Sequence, residues 1–285
     1  MMIELRRYSN FSQFKQDVLP FLEQHEGENN LPLGVIMNMK PGQKPLYMGT
    51  VNKDGELALV LLQTHPSQLI LSKSLPFAAE DIEEIAKKLY ESYPNIPGMI
   101  GEKWLATALA ERIAGLQHRR VHVQMKQRIY VLQQVKKPAS QRGVLRPAQM
   151  SDMAMLCQWF VRFCEDVRLP ESAEKATQAV QEAIANQQIY VWTIGGEPVS
   201  MARWARPTKT NVTINWVYTP PEKRKNGYAS DCVAALTQQL LDSGYKTVSL
   251  YTDLDNPTSN KIYTEIGYEP VMDSMLLQFV KEEVT

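Results

Sequence analysis

The residues of this 285-residue chain that could carry chemistry at informative spacing lie in two blocks of its second half. In the first, Asn211 to Thr219 alternates like a strand, with Val212, Ile214, Trp216 and Tyr218 on one face and Thr213, Asn215, Val217 and Thr219 on the other. Pro220-Pro221 halts it. Then come Glu222, Lys223, Arg224, Lys225, Asn226, Gly227, Tyr228, Ala229 and Ser230, opening a helix whose apolar stripe is Ala229, Val233, Leu236 and Leu240. A basic, Gly-containing loop before a helix start can hold an anion, because the first turn leaves backbone N–H groups unpaired. A pyrophosphate fits that requirement, with Gly227 allowing close backbone approach and Arg224 and Lys225 adding charge at the rim. The same residues also suit a plain basic surface turn, since short Gly motifs are weak evidence by themselves.

The second block begins with a strand, Val248 to Thr252, and continues through Asp253 to Asn256 into Pro257, Thr258, Ser259, Asn260 and Tyr263, ending before Gly267-Tyr268. Asn256 followed by Pro257 has the chemistry of a helix cap with Pro at the first helical position, and capping alone accounts for Asn256. Asn260 and Tyr263 lie four and seven residues further on, on one helical face.

Arg224 to Ala229 resembles the acetyl-coenzyme A signature of the GNAT N-acetyltransferase superfamily: Arg or Gln, two residues, Gly, one residue, then Gly or Ala. The block around Asn256, Asn260, Tyr263 and Gly267-Tyr268 is similar to the family's later motif. The resemblance runs from about Val144 to Phe279. It implies a GNAT-type mixed central sheet flanked by helices, in which Asn211 to Thr219 and Val248 to Thr252 splay apart around the pantetheine arm. It further implies coenzyme contacts from Val217, Tyr218, Thr219, Arg224, Lys225, Asn226, Gly227, Tyr228, Ala229, Ser230, Asn256, Ser259 and Asn260. The resemblance also implies that Tyr263 serves as acid to the departing thiolate. A half-buried aromatic with a wet hydroxyl is the plainer reading of that tyrosine. The implied activity is transfer of an acetyl group from acetyl-CoA, as co-substrate, to a small-molecule or peptide amine by direct attack in a ternary complex. A non-catalytic acyl-CoA sensor is the alternative. The general base is not identified: Glu165, Asp166, Asp253 and Glu269 all qualify, and the strand from Asn211 carries no carboxylate where many relatives have one.

The elements around these blocks repeat. Leu5-Arg6 precedes a helix-like stretch with Phe14, Val18 and Phe21, as Leu145-Arg146 precedes one with Met153, Leu156, Trp159 and Phe160. Hairpin turns at Asp54-Gly55 and Gly195-Gly196 follow in the same order, both pairs offset by about 140 residues. Two tandem GNAT-like lobes are therefore expected: a degenerate lobe over 1–135, a linker over 136–143 and a complete domain over 144–285. In the first lobe Glu80, Asp81, Glu83 and Glu84 stand where a phosphate-binding helix would start, and acids there repel phosphate.

Composition narrows the partners. Lys plus Arg and Asp plus Glu each count 31, so no global field favours nucleic acid or an anionic membrane. Cys157, Cys164 and Cys232 sit in apolar surroundings that suit reduced core thiols, and no apolar run approaches a membrane span, so a cytoplasmic protein is expected. His25, His65, His118 and His122 lack metal-ligand spacing, and no metal is expected. His118 to His122 reads as a solvated basic turn, and the five tryptophans as core or cleft-wall residues.

Overall fold

The structure, a computed structural model, describes residues 2–40, 42–169 and 171–281. Its strands are β1 (Ile3–Arg7), β2 (Tyr47–Lys53), β3 (Glu56–His65), β4 (Gln68–Leu71), β5 (Gly98–Glu102), β6 (Arg119–Leu132), β7 (Val144–Pro147), β8 (Ile189–Ile194), β9 (Glu197–Ala205), β10 (Asn211–Tyr218), β11 (Thr247–Asp253) and β12 (Glu269–Lys281). The helices are α1 (Phe11–Leu22), α2 (Asn30–Met37), α3 (Ala79–Ser92), α4 (Lys103–Leu116), α5 (Met153–Asp166), α6 (Ala173–Ala185), α7 (Tyr228–Asp242) and α8 (Pro257–Ile266). From β1 to β6 and from β7 to β12 the order is the same, β-α-α-β-β-β-α-β-α-β, so the expected repetition extends to every strand and α-helix among the described residues.

The repeats are not the two compact units. One unit is Met1–Ile129 with Pro270–Thr285, the other Tyr130–Glu269. The expected boundaries, 1–135 and 144–285 about a linker, differ on two counts. Most of β12 belongs to the first unit, where it pairs antiparallel with β5 from Ser274↔Glu102 to Gln278↔Gly98. A Cβ on Gly98 would stand 2.2 Å from the Leu277 carbonyl oxygen, so only glycine permits that approach. Residues 136–143 pack within the second unit: the Lys136 N–H donates to the Ile266 carbonyl, and Ser140 donates to Asp231 through both its N–H and its hydroxyl.

In the first unit β3 alternates between two cores. Leu59 and Leu61 face Ile82, Ile85 and Leu89 of α3 and Leu105 and Leu109 of α4, while Val60 and Leu62 face Phe14 and Val18 of α1 and Leu33 and Ile36 of α2. The second unit repeats the arrangement. Its strands run in the order β11-β10-β9-β8-β7, antiparallel except for the β10–β11 pair. Val233, Leu236 and Leu240 of α7 cover Ala202, Val212, Ile214, Val248 and Leu250 on one face. On the other, α5 and α6 cover Ile189, Val191 and Met201 with Leu156, Phe160, Ala176 and Val180.

One local expectation is corrected. Arg119 to His122 is the beginning of β6, not a turn; the turn falls before it, with His118 at a positive φ of 54°. Of the tryptophans, Trp159 and Trp192 are buried, and Trp104, 42% exposed, lines a surface cavity with Thr107, Ala108 and Glu111.

Candidate active site

Parallel pairing of β10 with β11 runs from Asn211↔Thr247 to Ile214↔Leu250 and then stops, although both strands continue. The remainders, Asn215 to Tyr218 and Tyr251 to Asp253, leave the expected gap open. A bulge drives the separation. The register of β10 with β9 passes from Asn215↔Arg203 to Tyr218↔Met201, and Trp216 at its centre has φ 52°. A bulky side chain rarely adopts that conformation, so packing must hold it there. Phe160 of α5 lies 4.1 Å from the Trp216 ring centroid and the Arg203 guanidinium 4.3 Å. The bulge also corrects the expected alternation: Val212, Ile214 and Val217 pack on the α7 side, while Trp216 and Tyr218 pack on the α5 side.

Beyond Tyr218 the chain turns through the Pro221–Lys223 3₁₀ turn into the basic loop. Lys225 has φ 65° and Gly227, the N-cap of α7, φ 82°. Among the described residues, no acceptor is taken by the backbone N–H groups of Lys225 through Ser230. A row of outward N–H donors with left-handed residues between them is an anion-binding nest, strengthened by the helix dipole. The loop is braced from within. The Asn226 amide donates to the Lys223 and Arg224 carbonyls, both at 3.1 Å, and Arg142 Nη2 donates to the Asn226 carbonyl at 3.0 Å. Arg142 also reaches Asp231 at 3.3 Å.

The charge at this rim is distributed differently from the expectation. Arg224 donates from Nε to the Thr219 carbonyl at 2.9 Å and from Nη2 to Asp166 at 2.7 Å, and Lys223 pairs with Glu197. Lys225, with no ion pair among the described residues, supplies a cation beside the nest, and Arg142 lies there paired with Asp231. Arg142 was missed because it sits in a stretch that reads as linker, and nothing in its spacing marks it. Val217 follows the bulge; the Tyr218 carbonyl accepts from Ser200, whose hydroxyl accepts from Thr219 at 2.9 Å. Tyr228, Ala229 and Ser230 form the half-exposed first turn of α7.

At the start of α8 the Asn256 side chain accepts from the Ser259 N–H at 3.1 Å, the cap anticipated from Asn-Pro. Asn260 donates to the Asp253 and Asn256 carbonyls at 3.2 and 2.8 Å and accepts from the Tyr130 hydroxyl at 3.2 Å. It therefore ties the β11–α8 loop to the end of β6. Tyr263 is 8% exposed and lies in the same apolar cluster as Ile214 and Leu250, with the Tyr130 and Tyr268 rings 6.5 and 6.1 Å away. Burial pushes its phenol up to about 12. Its hydroxyl bonds to no described residue.

Of the candidate bases, Asp166 is engaged by Arg224, Glu269 by Lys136, and Asp253 Oδ1 by the Asp255 N–H. Glu165 is exposed. Cys164 and Cys232 are buried, their thiols pushed up to about 11 and 12 by desolvation. Among the described residues no group of His, Cys, Asp and Glu could hold a metal ion, and no helix is long and apolar enough to cross a membrane.

A duplicated mixed sheet, with a parallel pair parted by a bulge beside a glycine loop at a helix start, defines the tandem GNAT class of α/β proteins. Residues 153–268 match the Acetyltransferase (GNAT) family, and the second unit accordingly carries a domain of that family. No curated protein matches the chain by sequence. Solved structures resemble it along its whole length. A GCN5-related N-acetyltransferase from Sphaerobacter thermophilus is 13% identical with a TM-score of 0.63, over 99% of this chain and 97% of that one. A GNAT-family acetyltransferase from Colwellia psychrerythraea is 12% identical with a TM-score of 0.62, over 97% and 98%. A tandem GNAT protein from the clavulanic acid biosynthesis pathway is 10% identical with a TM-score of 0.54, covering 100% of each chain. At these identities the likeness concerns the fold. Family and fold together support acyl transfer as the general chemistry.

Proposed function

We propose that the second unit transfers an acetyl group from acetyl-CoA to an amine, and that the first is a degenerate lobe of the same fold without a coenzyme site. The observation that carries this reading is the row of unengaged N–H groups from Lys225 through Ser230 beside the open end of the β10–β11 pair. A diphosphate suits the first and an extended amide-bearing arm the second.

The coenzyme supplies an acyl group activated as a thioester. The chain's own residues divide the remaining work. Gly227, Ala229 and Ser230 present N–H donors to the diphosphate, with Lys225, Asn226 and Arg142 around them; Arg224 and Tyr228 shape the loop. Val217, Tyr218 and Thr219 offer the edge of β10 as the partner of an added strand. Asn256, Ser259 and Asn260 hold the start of α8, which carries Tyr263. In the transfer, the neutral amine forms its bond to the acyl carbon, the C–S bond breaks, the thiolate gains a proton and the nitrogen loses one. Tyr263 is the donor proposed for the thiolate. With the four candidate carboxylates engaged or exposed, the amine's proton leaves through water.

Thiol release from acetyl-CoA with a panel of amines tests the reading, alongside calorimetric titration with the coenzyme. Gly227→Glu puts a negative charge where the diphosphate would lie, and Gly227→Ala controls for the positive φ, which costs a non-glycine residue about 1–2 kcal/mol. Coenzyme affinity should collapse in the first and persist in the second. Unchanged affinity in folded Gly227→Glu removes the loop from the site. Coenzyme binding without turnover of any amine favours a sensor.

A further inference from the structure

Arg203 and Asn215 face each other in register across β9 and β10, one residue before the bulge. Each carries a polar atom sealed from solvent with no hydrogen-bond partner: Nε of Arg203, a donor, and Oδ1 of Asn215, an acceptor. They do not satisfy each other. Arg203 Nη2 donates to Gln188 Oε1 at 2.9 Å and its guanidinium lies over Trp216, but among the described residues no carboxylate pairs with it. Burial, and then the nearby Arg206 guanidinium, pull its pKa down to about 10, so it remains a cation at neutral pH. A largely desolvated cation with no carboxylate in contact, only the more distant Glu182 favouring its charge, and a sealed amide oxygen without a donor both cost stability. Stability alone gives no reason for two such groups to stand opposite each other at the mouth of the gap.

We infer that Arg203 and Asn215 form the acceptor subsite, and that the acceptor is an amine that also bears a carboxylate, an amino acid or a close analogue. An oxyanion completes the Arg203 fork, and an N–H of the acceptor amine completes Asn215 Oδ1. One small molecule then satisfies both orphans. The amine stays beside the bulge, where β10 and β11 part. Asparagine orients that amine without deprotonating it, in keeping with the strand's lack of a carboxylate. Polyamines and other multiply cationic acceptors lack a group for Arg203, and the Arg203 and Arg206 guanidiniums repel them.

The inference rests on the acetyl transfer proposed above, and its test separates the two. Thiol release is measured at saturating acetyl-CoA with free amino acids, the matching amino-acid amides and simple alkylamines, compared at equal concentrations of neutral amine. The wild-type protein should prefer at least one acid over its amide by about a hundredfold in kcat/KM, the scale of a charge-assisted hydrogen bond. Arg203→Gln should cost the acid about a hundredfold more than its amide, so that the preference for the acid disappears whatever both lose from the altered packing on Trp216. Equal use of acids and amides by the wild type overturns the inference while leaving acetyl transfer standing, and this arm needs no variant to fold. Parallel loss for acid and amide in Arg203→Gln also overturns it, since that is the signature of a structural role. Coenzyme binding without thiol release from any amine overturns both proposals.

Discussion

At the scale of single residues the sharpest question is what Tyr263 contributes. In the proposed transfer its phenol, pushed up to about 12 by burial, would meet a leaving thiolate whose ordinary pKa is about 8.5. Complete proton transfer is then uphill by roughly 5 kcal/mol, so the hydroxyl does most by hydrogen-bonding the developing charge. Tyr263→Phe keeps the ring and its packing; turnover should fall about tenfold to a hundredfold while the KM for the coenzyme hardly changes. A variant with wild-type turnover under chemistry-limited conditions removes Tyr263 from the step. The raised pKa also fixes the pH behaviour: the donor form is lost only as pH rises toward 12, so the kcat profile should show no falling limb from this group below about pH 10. The Asn256 cap was legible because Asn-Pro carries it, and the shared face of Asn260 and Tyr263 because helical spacing carries it; the role proposed for Tyr263 comes from the family resemblance. Arg203, Asn215 and Arg142 were not legible. Their meaning depends on what stands opposite them, which no local pattern encodes.

Among the elements, β10 and the loop after it show where sequence pattern ends. Strict alternation set Trp216 beside Val212 and Ile214, and the bulge turned it to the other face, because a tryptophan at positive φ leaves no trace in hydropathy. Gly227 announced its turn, while the second left-handed residue, Lys225, did not. The entry to α5 yields a prediction of its own. Arg146 of β7 grips Asp152 through two bonds of 2.7 and 2.9 Å, and Asp152 accepts from the Gln149 N–H at 2.8 Å. The Arg146 guanidinium, aided by that N–H, holds the Asp152 carboxyl below its usual range. Since its folded value lies below its unfolded one, its contribution is complete above about pH 4 and is lost as pH falls through the folded value. Asp152→Asn should therefore lower stability by about 1–3 kcal/mol at pH 7, with the difference from wild type shrinking below pH 4 in denaturant titrations. A difference that stays constant down to pH 2 removes the ion pair as its source.

For the whole molecule, duplication was legible because the Leu-Arg starts and glycine turns recur at a near-constant offset, and the two repeats do share one order of elements. The placement of β12 was not legible, since a strand's sequence names its faces but not the neighbour it pairs with. Duplication raises the question of how many coenzymes one chain holds, and the two helix starts answer differently. At α7 the N-cap is Gly227 and the neighbouring N–H groups are open. At α3 the buried Asp81 carboxylate reaches back to the Ala78 N–H at 2.8 Å and pairs with Lys53 Nζ at 2.8 Å. The Lys53 contact holds that carboxyl below its usual range, so it is anionic at neutral pH and occupies the ground a phosphate would need. The loop before α3 is closed as well: the Lys73 N–H donates to Asn29 Oδ1 and the Ser72 N–H to the Val60 carbonyl. Calorimetric titration with acetyl-CoA should therefore give one site per chain, and Gly227→Glu should abolish the measurable heat. A stoichiometry of two in the wild type, or one residual site in folded Gly227→Glu, would mean that the first unit binds the coenzyme by groups other than the start of α3.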